Sequence, residues 1–118
     1  MSGAAYSQAL LMAAPALPVI VHPDGRVEAD ERLAGLIGLT APPARLLDLA
    51  SGELGLTSAD AAALSAAADR TATSGAPFSV PVRAQGSARI LVVRGGPAPY
   101  PVGAVLLWFF DALSLIHI

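Results

Sequence analysis

The chain has 118 residues, enough for one domain around one hydrophobic core. Its net charge of -2 offers no basic field to nucleic acid, and the absence of cysteine removes disulfides, thiolate metal sites and cysteine nucleophiles together. Hydrophobic residues reach 54% against 14% charged, but much of the apolar share is alanine, which buries little area per side chain, so a modest core is expected. All seven basic residues are arginine, a bias that with the Ala, Gly and Pro excess points to a GC-rich bacterial genome.

Two stretches imitate membrane or targeting signals. Ala9 to Leu17 has the apolar length of a signal-peptide core, but no basic residue precedes Arg26, so the positive leading region is missing. Val102 to Ile118 is nearly all apolar, yet Asp111 interrupts it and it falls short of the roughly 20 residues a spanning helix needs. A cytoplasmic chain with no membrane insertion by this segment is expected.

In chain order, Ala5, Tyr6, Ala9, Leu10 and Ala13 recur at three- and four-residue spacing and predict a short helix over Ala4 to Ala14, stopped by Pro15. Leu11 and Met12 widen its apolar stripe, so it should cover the sheet or a partner chain. Leu17 to Val21 reads as a strand, and the Asp24-Gly25 turn returns the chain along Arg26 to Glu28. Asp30 can cap a helix whose apolar face is Leu33, Leu36 and Ile37, with Gly38 as its left-handed stop. Pro42-Pro43 opens a second short helical stretch, Ala44 to Leu49, closed by Ser51-Gly52. A longer helix starts at Thr57 or Ser58, where Thr57 and Asp60 resemble a capping box; Ala61, Leu64, Ala68 and Thr71 run down one face and Gly75 ends it.

After Pro77 the period switches to two. Phe78, Val80 and Val82 should face the core while Ser79, Pro81 and Arg83 face out, and Pro81 assigns the strand to a sheet edge. Gln85-Gly86 turns the chain into a strand from Ser87 to Arg94, which breaks at Gly95-Gly96-Pro97. Val102 to Asp111 then reads as a strand buried on both faces. The fold class is α+β, with five antiparallel strands and short helices inserted between the second and third. The first and last strands pair in the middle, and the strands carrying proline or charge lie at the edges.

The segment Leu17-Pro-Val-Ile-Val-His-Pro-Asp-Gly-Arg-Val, the helix Asp-Glu-Arg-Leu-Ala-Gly-Leu-Ile-Gly, Gly75-Ala-Pro-Phe and the closing Leu-Leu-Trp-Phe-Phe-Asp-Ala occur in an order and spacing that resemble a PAS domain, specifically that of a bacterial sensor histidine kinase. The resemblance covers about residues 6 to 112. It implies the sheet order 2-1-5-4-3, the same edges as above, and divides the chain into an N-terminal helix (1–15), a PAS domain (16–112) and a tail (113–118). PAS strands commonly end in an Asp-Ile-Thr-like or Asp-Ala-Thr-like triplet that joins the sheet to an outgoing signalling helix. Asp111 and Ala112 match its first two positions and Leu113 departs from it. Leu113 to Ile118 resembles the translated read-through of a sequencing adapter and is expected to be foreign to the native sequence, a genuine tail being the alternative.

Catalytic constellations are not found. No well-placed histidine accompanies the serines, Gly95-Gly96 lacks a phosphate-loop lysine, and Asp24, Glu28, Asp30 and Glu31 read as turn and cap chemistry. Without cysteine, cysteinyl-flavin chemistry is excluded. The resemblance implies that haem would be ligated by a histidine on or just after the long helix, yet Thr57 to Gly75 contains none. His22, in a predicted turn, is expected to be solvated and is not expected to ligate metal. No cofactor is identified.

The resemblance implies a sensory or dimerisation module that relays a conformational signal to a downstream histidine kinase domain of the parent chain, in a two-component phosphorelay. Asp111 and Trp108 would couple the signal, and Tyr6 and Leu10 would join the outer face of the sheet in a homodimer contact. The alternative is a stand-alone interaction module or a receptor for a small apolar ligand held by Leu33, Leu36, Ile37 and Leu64. This segment itself would carry no catalytic residue; the enzyme would be the parent kinase.

Overall fold

The computed structural model of the protein describes residues 16–87 and 89–111. Five strands form one antiparallel sheet: β1 (Ala16–Val21), β2 (Val27–Ala29), β5 (Phe78–Ala84), β6 (Arg89–Pro97) and β7 (Val105–Asp111), in the order β2-β1-β7-β6-β5. This is the expected 2-1-5-4-3. The first and last strands pair from Ala16 opposite Phe110 to Val21 opposite Val105. Between β2 and β5 lie helix α1 (Glu31–Ile37), a 3-10 turn (Leu46–Leu49), a two-residue hairpin of β3 (Ala50–Ser51) and β4 (Leu54–Gly55), and helix α2 (Ser58–Ser74).

Local chemistry explains most boundaries. Pro18 is tolerated in β1 because β2 reaches only to Val19, so the missing donor has no strand beside it. Asp30 caps α1 by accepting the N–H of Arg32 at 2.8 Å, and Gly38 ends it at φ 80°. Thr57 caps α2 through its hydroxyl, and Gly75 stops it at φ 74°. Thr71, the buried polar side chain on the inner face of α2, is satisfied by donating to the carbonyl of Ala76 at 2.8 Å.

One core fills the space between the sheet and the helical layer. Leu17, Val19, Val93, Leu91, Leu107 and Phe109 project from the sheet. Leu33 and Ile37 of α1, Leu49, Leu56 and Leu64 close it from the other side. Phe109 and Leu107 are fully buried, which makes β7 the strand with most to lose from truncation.

Four boundaries depart from the sequence reading. The helical stretch expected at Ala44 to Leu49 is only the 3-10 turn, and Ala50 to Gly55 forms the small hairpin instead of a plain stop. A two-residue strand leaves too little periodicity to read. β6 runs through Gly95 and Gly96 to Pro97 because the ring of Phe78, directly opposite on β5, covers Gly95. β7 starts at Val105: Val102 is 91% exposed in the preceding loop, which Ala98 closes by donating to Ala104. Nor is β7 buried on both faces. Val105, Leu107 and Phe109 are buried, whereas Leu106, Trp108 and Phe110 are half-buried on the outer face. The helix expected over Ala4 to Ala14 and the tail from 113 to 118 lie outside the described residues.

Candidate functional site

The sequence-predicted coupling residue ends the central strand. Asp111 is opposite Leu91 of β6, so it shares the inward-facing set of β7 with Leu107 and Phe109 but stands at the rim of the sheet. Two residues back along β6, Arg89 is on the same face. Its Nε lies 3.4 Å from the Asp111 carboxylate, with the Asp side chain 21% and the Arg side chain 46% exposed. A pair this exposed is worth about 0–1 kcal/mol, so its value is orientation rather than stability. Arg89 was not singled out as a partner from sequence, because pairing the two requires the β6–β7 register.

Trp108 does not join Asp111. Three residues apart on one strand, they point to opposite faces. Trp108 sits on the outer face between Pro18 of β1 and Arg94 of β6. Next to it, the Arg94 guanidinium carbon lies 5.5 Å from the centroid of the Phe110 ring, within cation–π range. The outer face is therefore apolar across three strands, with one cation over an aromatic ring.

The four expected pocket residues do come together. Leu33, Ile37 and Leu64 are at most 1% exposed within the common core, and Leu36 packs against it partly buried. Their surroundings are other core side chains. Tyr6 and Leu10 lie outside the described residues.

Charged groups gather at the β1–β2 turn. Asp24 accepts the backbone N–H of Arg26, and that bond, aided by the charges of Arg26, His22 and Arg45, lowers its pKa. Asp30 is held lower still, at about 2, by the guanidinium of Arg32 and that residue's backbone N–H; Arg32 is raised in return. Arg45 donates to the carbonyl of Asp24 at 3.0 Å and so ties the turn to the 3-10 segment. His22 corrects its sequence reading: rather than solvated, its side chain is 18% exposed, with Nε2 buried and 3.1 Å from Glu28. The β2 strand folds back over it, which the turn motif alone did not reveal. Among the described residues no three His, Asp or Glu side chains stand close enough to hold a metal ion, and no helix is long and apolar enough to cross a membrane.

No family model matches the chain, and no curated protein sequence does. Solved structures do resemble it. An RNA-binding light-oxygen-voltage receptor superposes with TM-score 0.63 at 18% identity, over 88% of this chain and 30% of that one. A domain of an HTR-like protein from Haloarcula marismortui superposes with TM-score 0.59 at 15% identity, over 84% of this chain and 99% of that one. The chain thus spans under a third of the receptor and nearly all of the second domain. At these identities the likeness is one of fold.

Proposed function

From the PAS fold of this chain we propose that it is a cytoplasmic sensory and dimerisation module of bacterial two-component signalling, which biases a histidine kinase domain further along the parent chain. The observation that carries the proposal is the Arg89–Asp111 pair at the exit of the central strand. β7 is hydrogen-bonded to β1 on one side and β6 on the other, so strain anywhere in the sheet reaches its last residue. A carboxylate paired there with an exposed arginine stands where a change in the sheet can re-aim it, and re-aiming it would redirect whatever follows. The light-oxygen-voltage protein is named a receptor, which supports the sensory part by analogy of fold.

In the full-length parent protein, Asp111→Ala should break the dependence of kinase autophosphorylation on stimulus while leaving the circular dichroism spectrum unchanged. Arg89→Ala should act in the same direction, and the exchange Arg89→Asp with Asp111→Arg should restore part of the response. Unaltered signalling in Asp111→Ala would refute the relay. The reading as a receptor for a small apolar ligand is less well supported, since its side chains are packed within the core. A ligand retained in native mass spectrometry would revive it.

A further inference from the structure

No charged residue stands between Arg94 and Asp111, and this stretch includes the loop that joins β6 to β7, residues 98–104. The two most exposed large apolar side chains among the described residues lie on that loop, Tyr100 at 83% and Val102 at 91%. Pro99 and Pro101 flank Tyr100 and fix the backbone on either side of it. Exposed apolar side chains gathered on one projection mark a contact surface.

The loop is also short of backbone groups that demand water. Pro99 and Pro101 have no N–H, Ala98 donates to the carbonyl of Ala104, and Ala104 donates to that of Pro101, each at 3.0 Å. Tyr100, Val102 and Gly103 keep their N–H groups for an outside acceptor. We propose that this tip is a lipid-surface anchor: Tyr100 and Val102 enter the boundary between headgroups and acyl chains of one leaflet, where ester and phosphate oxygens accept those N–H groups. Donors already bonded within the loop lower the desolvation cost of entry. Tyrosine suits that depth, with its ring in the apolar layer and its hydroxyl in the wet one. Two side chains carry the contact, so it is weak and reversible, and it is distinct from a membrane span.

The fold leaves the tip free to meet a surface. Ala16 and Asp111, where the described chain enters and leaves, lie at the other end of the sheet, Ala16 opposite Phe110 and Asp111 opposite Leu91. The β1–β2 turn stands beside the tip, its Pro23 ring 3.5 Å from where a Cβ on Gly103 would be. That turn carries Asp24 and Arg26, and Arg45 is bonded to it at 3.0 Å, so one carboxylate partly offsets two guanidinium groups. Attraction to an anionic surface is therefore slight, and apolar transfer carries the binding. A protein groove would need directional polar contacts around its anchors, and apart from the Tyr100 hydroxyl the loop has no polar side chain to supply them. A fluid bilayer needs no such match.

The test uses the whole chain and vesicles of phosphatidylcholine, alone or mixed with anionic phosphatidylglycerol. The chain should float with both kinds of vesicle, slightly better with the anionic, and should stay bound in high salt. Val102→Asp and Tyr100→Ser, at positions open to solvent, should each lower the partition coefficient about tenfold, roughly what burying one such side chain contributes, with unfolding curves unchanged. Because the chain has no cysteine, Val102→Cys accepts a single environment-sensitive fluorophore, whose emission should shift to the blue on vesicles. The same label at Ser87→Cys, on the β5–β6 turn at the far end of the sheet, should not respond. No flotation with either vesicle would overturn the proposal, as would binding to anionic vesicles alone that salt reverses. Binding unchanged in both loop variants would refute the tip as the contact. The proposal does not depend on the relay, and Asp111→Ala should float like wild type, so anchor and relay can fail separately.

Discussion

The carboxylate of Asp60, in the first turn of α2, accepts the backbone N–H of Arg83 on β5 at 3.0 Å. The same residue lends its own N–H to the Thr57 hydroxyl. One side chain thereby fastens the N-terminus of the long helix to the open edge of the sheet, where a carboxylate also suits the helix dipole. Asp60→Ala should cost about 1–2 kcal/mol, the range of a charge-assisted hydrogen bond partly open to solvent. Urea unfolding of the two proteins checks this. Asp60→Asn, which keeps an acceptor, should fall between them.

Gly95 is the second test. A Cβ at this position would run into the ring of Phe78 and approach Cδ2 of Leu107 to 2.8 Å. Gly95→Val should destabilise by about 1–3 kcal/mol through overpacking, despite valine's better strand propensity. Phe78→Leu added to that variant should recover part of the loss. A non-additive cycle in thermal unfolding would show the two positions to be coupled through the ring.

Gln85 acts as a clip. Its amide nitrogen donates to the carbonyls of Gly52 at 3.0 Å and Leu56 at 2.9 Å, with Leu54 at 3.4 Å. Gln85→Glu would turn this donor into an anion facing carbonyl oxygens and should loosen the β3–β4 hairpin more than Gln85→Ala does. Amide hydrogen exchange checks the difference at Leu56, whose N–H is bonded to Leu49.

Acid should release the cap of α1. The folded pKa of Asp30, about 2, lies below its ordinary 3.8 because Arg32 holds the ionised form. A depressed folded pKa means stability that is complete above the ordinary value and lost as the pH falls toward 2. Asp30→Asn should therefore be less stable than wild type at neutral pH, with the gap narrowing below the ordinary 3.8 and closing as the pH falls through about 2. Asp24, lowered by the N–H of Arg26, titrates in the same sense. Unfolding curves at stepped pH values measure the closing gap.

The strand order was legible because single residues mark it: Asp24-Gly25 turns one hairpin, Pro81 bars its strand from the interior, and the uninterrupted run ending at Asp111 claims the centre. Caps and stops at Asp30, Gly38, Thr57 and Gly75 were equally plain, since each acts within four residues of itself. What escaped acts at a distance. Gly95 looks like a breaker until Phe78 is laid across it, Asp60 looks like half of a capping box until β5 comes within reach, and Asp111 has no visible arginine until Leu91 is set opposite. Asp111 was thus singled out from its triplet, while its electrostatic partner needed the register.

The pairing of β1 with β7 also has a consequence for synthesis. The strand made first hydrogen-bonds to the strand made last, from Ala16 with Phe110 to Val21 with Val105. A nascent chain can form the β1–β2 turn, both helices and the β5–β6 hairpin, yet these remain two separate pieces with their apolar faces uncovered until β7 is released. Closure of so long a loop is entropically slow, so the domain should mature after translation has passed Asp111, and stalling just before that codon should yield aggregation-prone intermediates.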